Sequence, residues 1–140
     1  MSNQQPQWQP VSLLPVFTDM VDGMLESSVE QLSYMQLVME KRHVLDDATL
    51  DRIITLYSNQ LENHWLFEEQ FTRWKQGNLC DAEEVEIDRL VKQSSKLKEV
   101  NEEILKLARS FEHVTIDKIM AMDEIDLTEA MLSGKIKPPR

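Results

Sequence analysis

At 140 residues, 41% of them hydrophobic and 29% charged, the chain is long enough for one domain around a continuous core. A formal net charge of −10 argues against any role that rests on neutralising phosphates, so no nucleic-acid partner is expected. Cys80 is the single cysteine and no stretch approaches the roughly 18 apolar residues of a membrane span, so a reducing, cytoplasmic setting without a membrane partner is expected.

Residues 1–10 are Gln-rich and carry Pro6 and Pro10, without the basic start and apolar run of a signal peptide. They are read as a mobile tail whose Trp8 is placed to dock on the folded part. A first helical window runs from Pro15 to Lys41, with a start near Val11 or after Pro15. Its inner face is Leu14, Val21, Leu25, Val29, Leu32, Met35 and Met39, spaced mostly by three, four or seven. Leu13, Phe17, Met20, Met24 and Val38 widen that stripe to nearly half the helix, more than one neighbouring helix covers. Phe17, Met20, Met24 and Val38 are therefore candidate residues of an interaction surface. Asp19, Asp22, Glu26 and Glu30 form an acidic ridge, and no Lys or Arg precedes Lys41. A solvated face accounts for the ridge, with a docking strip for a basic partner or a weak cation site as the functional alternative.

Lys41, Arg42 and His43 complement the carboxyl end of the first helix. Asp46 or Asp47 is placed to cap a second helix whose window, Leu50 to Lys75, is uninterrupted. Its apolar face is Leu50, Ile53, Ile54, Tyr57, Leu61, Phe67, Phe71 and Trp74, and Gly77 with Asn78 supplies the stop. A third helix over Ala82 to Phe111 starts at the capping-box pair Asp81 and Glu84. Its seam Ile87, Leu90, Ser94, Leu97, Asn101, Ile104, Ala108 and Phe111 has coiled-coil spacing, diluted by Ser94 and Asn101. Thr115 caps a short helix through Met122, and Asp126 to Glu129 opens another that stops at Gly134. The end from Lys135 to Arg140 is basic and Pro-rich.

The expected architecture is all-α: an antiparallel bundle of three long helices with a shorter C-terminal helical element. It forms one domain over residues 11–134 between an N-terminal tail (1–10) and a C-terminal tail (135–140). The one polar anomaly is His64 with Glu68. An uninterrupted second helix places both in the middle of its apolar arc, where a buried carboxylate needs a partner and the imidazole one turn away supplies it.

His64-Trp65-Leu66-Phe67-Glu68-Glu69 resembles the His-aromatic-x-x-Glu-Glu stretch of the hemerythrin-like four-helix di-iron proteins. The resemblance implies metal ligation by His64 and Glu68, with His113 and Asp117 as a second pair. It covers about six residues, and the family's His-x-x-x-His pair is missing from the next helix, as is any histidine from the first. The residues themselves favour a structural His64–Glu68 pair, or a Glu68 that lies at a gap leading to solvent, with no metal and no cofactor. Cys80 lacks a neighbouring base and reads as an ordinary thiol. No catalytic set stands out, the acids of the third helix clustering at its exposed start instead of facing inward as a Mg²⁺-dependent nucleotide hydrolase requires. The chain is accordingly read as a non-enzymatic interaction or adaptor protein, a homodimer or the binder of a partner helix, with eight methionines suited to an adaptable contact surface.

Overall fold

The computed structural model describes residues 6–39, 45–113 and 115–121. These form a short 3₁₀ turn, Val11–Leu13, followed by α1 (Leu14–Leu37), α2 (Asp47–Glu62), α3 (Trp65–Lys75), α4 (Asp81–Ser110) and α5 (Ile116–Ala121). No strand occurs among the described residues. The elements expected around Lys41 to His43 and beyond Met122 lie outside them.

Local chemistry sets the helix ends. Pro15 sits in the first turn of α1, where its missing N–H costs nothing. Asp46 caps α2 by accepting from the Thr49 N–H at 2.7 Å. The α4 cap falls one residue earlier than the Asp81–Glu84 spacing suggests: Cys80 is the N-cap, and the Glu83 carboxylate accepts from its N–H at 3.0 Å. Thr115 Oγ1 accepts from the Lys118 N–H at 3.3 Å and opens α5.

The long helix α4 is the element on which α1, α2 and α3 all pack, while α5 leans on the start of α2. Along the α1–α4 contact, Thr18 meets Glu86, Asp22 meets Arg89 and Ser28 meets Asn101, so the two helices run in the same direction. On the other side Gln60 meets Asn101 and Lys75 meets Asp88, so α2 and α3 run against them. The core divides into two apolar clusters. One gathers Met35, Leu50, Tyr57, Ile104 and Phe111, and the other Val21, Phe71, Trp74, Ile87 and Leu90.

Between the clusters lies a polar layer. Ser28 donates to Asn101 Oδ1 at 2.7 Å, and Asn101 Nδ2 donates to Gln60 Oε1 at 2.9 Å. Asn101 and Ser28 are each only 1% exposed, so these bonds satisfy groups that burial would otherwise penalise by about 1–3 kcal/mol apiece. The layer also fixes register, because sliding any of the three helices by one turn separates the partners.

The second helix departs from expectation. Asn63 and His64 interrupt it, with Leu66 N–H bonded to Asn63 O and Phe67 N–H to His64 O in the tighter i to i+3 pattern. Leu50 and Glu68 are eighteen residues apart, about five full turns, so an unbroken helix would point both the same way. Leu50 is 2% exposed, whereas the Glu68 side chain is 55% exposed. The break therefore turns α3 about its axis and carries Glu68 from the core to solvent. Val29, expected on the inner face of α1, is 45% exposed because it lies roughly 70° round from the Val21–Leu25–Ser28 line that α4 covers. Met39 is 40% exposed beyond the end of α1.

Candidate interaction groove

At its start α1 packs on α3, the Phe17 ring standing edge-on to Phe67, Phe71 and Trp74 with the nearest ring centres 5.0 Å apart, and beyond that contact a groove remains between α1 and α2–α3 on the side away from α4. Its first half is a cleft of about 490 Å³. Phe17, Met20 and Met24 form one wall, and Leu56, Leu66 and Phe67 the other. Asn59, Gln60, Asn63 and Gln70 place carboxamides along it, and no charged residue lines it. That is unusual for a chain with 29% charged residues. The second half of the groove, sharing Leu56, is polar and runs past Ser27, Glu30, Gln31 and Tyr34 of α1 to Thr49 and Arg52 of α2.

Three of the four candidate interaction residues, Phe17, Met20 and Met24, thus come together in one cleft. Met20 is 41% exposed. Val38 instead packs against the Met35–Leu50–Phe111 cluster and is only partly open. Leu56 and Leu66 were missed in the sequence because they stand beside the apolar stripe of the second helix. Leu56 follows Ile53 and Ile54 and precedes Tyr57, and that density of apolar residues was the available signal.

Residues 6–9 close one end of the cleft. Gln70, 3% exposed, holds Gln9 on both sides of its backbone: its Oε1 accepts from the Gln9 N–H at 2.7 Å and its Nε2 donates to the Gln9 carbonyl at 3.3 Å. Trp74 Nε1 donates to the same carbonyl at 2.8 Å. Trp8 packs edge-on against Trp65, with the Arg73 guanidinium 4.5 Å above its ring centre. Trp8 thus docks on the helices, and Trp8 and Gln9 of the expected tail lie against α3.

His64 is 4% exposed and faces α4 at the α2–α3 break. Its Nε2 is buried without a hydrogen-bond partner, and the nearest Glu68 oxygen is 4.0 Å away, too far to bond. The expected mutual pair is therefore absent: the exposed carboxylate needs no imidazole, and the imidazole gains little from it. Burial pushes the His64 pKa below its ordinary value. Glu68 and Glu102 oppose that shift and Lys98 reinforces it.

The second implied ligand pair sits elsewhere. Asp117 accepts from the Asp47 N–H at 2.6 Å, at the far end of α2, and His113 is exposed beyond α4. The length of α2, roughly 24 Å at 1.5 Å per residue, separates them from His64. Among the described residues no three His, Cys, Asp or Glu side chains converge as a metal site. Cys80 is exposed as a free thiol. No helix among them is long and apolar enough to cross a membrane.

Comparison with protein-family models, with curated proteins and with solved structures finds no match for the chain.

Proposed function

We propose that this is a non-enzymatic docking protein whose groove between α1 and α2–α3 receives a helix, from a partner protein or from a second copy of the chain. One observation carries the reading: the face of α1 turned away from α4 is not wasted on solvent but faces Leu56, Leu66 and Phe67 across an uncharged cleft. A groove flanked by two helices, apolar along its floor, is the receiving half of helix-in-groove recognition. Methionine suits such a surface because its unbranched, polarisable side chain adapts to different knobs.

The test is a pair of substitutions, Met20→Glu with Met24→Glu, checked for unchanged helix content. Self-association appears in light scattering as a mass near twice 16.4 kDa that the double variant lowers to the monomer. A wild-type monomer at tens of micromolar, a working range for moderate affinity, rules out the second copy as occupant. Association that persists in the double variant would remove the groove from the account.

A further inference from the structure

The groove has unlike banks. On the α1 side Asp19, Glu26 and Glu30 are exposed and lie within about 40° of one another around the helix axis, Glu30 lining the groove and the other two roughly 100° round from the Met20–Ser27 face toward solvent. Asp22, the fourth acid of α1's ridge, is turned the other way and is bound by Arg89. No Lys or Arg lies on α1 to offset the three that remain. Glu30 itself lines the polar half of the groove, opposite Arg52 on α2. The apolar floor, meanwhile, holds no charge at all.

We infer that the occupant is a basic amphipathic helix of another protein: its apolar stripe lies on Phe17, Met20, Met24, Leu56, Leu66 and Phe67, and its Lys or Arg residues lie over Asp19, Glu26 and Glu30. This rests on the docking reading above and specifies the partner. A second copy is the wrong occupant on charge grounds, since its α1 would set the same acidic edge against this one in a molecule of net charge −10. Length also fits. From Phe17 to Tyr34 the groove follows α1 for roughly 26 Å, the span of a helix of about 18 residues.

The test uses the full chain and two amidated synthetic helices of about 18 residues. One carries leucine at i, i+3, i+4 and i+7 with lysine elsewhere, and the other replaces each lysine by glutamate. Calorimetry should give the leucine–lysine peptide a Kd of about 10 μM or tighter, and the glutamate peptide binding at least about tenfold weaker. Reversing the bank with Asp19→Lys, Glu26→Lys and Glu30→Lys should weaken the lysine peptide by about tenfold or more. The same change in net charge made off the groove, with Glu99→Lys, Glu103→Lys and Glu112→Lys, should weaken it by less than about threefold. Equal losses in the two triple variants, or equal binding of both peptides, would overturn the basic-partner assignment. If that equal binding is still lost in Met20→Glu with Met24→Glu, the docking groove stands without its charge preference. Binding indifferent to the methionine pair, or no binding of either peptide by a monomeric chain, would overturn groove and partner together. A wild-type dimer dispersed by the methionine pair would assign the groove to a second copy instead.

Discussion

The two sides of α1 solve opposite problems. Toward α4 it is closed: Val21 is fully buried, the Ser28–Asn101 bond satisfies the one polar layer, and Arg89 spans Asp22 and Glu86 at the rim. Toward α2–α3 it is open beyond Phe17, whose ring packs on Phe67, Phe71 and Trp74, and there it presents methionines to an uncharged cleft. The same helix thus carries a surface that holds the fold and a surface free to be covered, and the difference teaches which residues to change. Substitutions on the closed side should act on stability, and those on the open side on association.

The largest expected effect lies on the closed side. Leu90→Ala empties a site with 0% exposure in the first third of α4 and should destabilise by about 2–5 kcal/mol in urea unfolding, whereas Met20→Ala should stay within about 0.5 kcal/mol. Similar losses from both would erase the distinction. A second, smaller effect sharpens it. Asn101→Ala takes a partner from Ser28 and from Gln60 at once and should cost about 1–3 kcal/mol.

The third effect is titration at His64. Its folded pKa is depressed by burial, so the unfolded chain binds the proton more readily. The stability His64 contributes is therefore complete above its ordinary pKa of 6.5 and falls as pH drops below that value toward the folded pKa. His64→Leu should flatten this slope below about pH 6.5. Because Nε2 has no partner to leave behind, the same variant should be neutral or stabilising at pH 7, and a loss above about 1 kcal/mol would contradict the orphaned imidazole. The smallest effect is at the rim. Arg89→Met removes a bidentate contact with Asp22 in which both side chains are about 40% exposed, and it should cost under about 1 kcal/mol, less in high salt.

Helical class, the wide apolar face of α1 and the α4 seam were legible because each repeats over many turns. The capping spacing put the start of α4 within one residue. What the sequence hid was the break at Asn63–His64. Neither residue is a proline or glycine, and the apolar stripe passes through the break from Leu61 to Phe67 and Phe71. Its consequence is local but decisive, since a rotation of α3 moves Glu68 to solvent and leaves His64 inside alone. Phe17, Met20 and Met24 were legible as surplus apolar surface, but their opposite wall was not. Leu56 and Leu66 become part of one cleft only through the way α2 and α3 lie across α4. Val38 could not be told from them by spacing, because its partial burial depends on the tertiary packing of the Met35–Leu50–Phe111 cluster.

The central claim is that α1 presents a binding face distinct from its packing face. Nuclear magnetic resonance of the labelled chain titrated with the leucine–lysine helix tests it most directly. The account predicts shifts concentrated at Phe17, Met20, Met24, Leu56, Leu66 and Phe67, with Ile87, Leu97 and Ile104 unmoved. Shifts spread over α4, or none at saturating peptide, would contradict it.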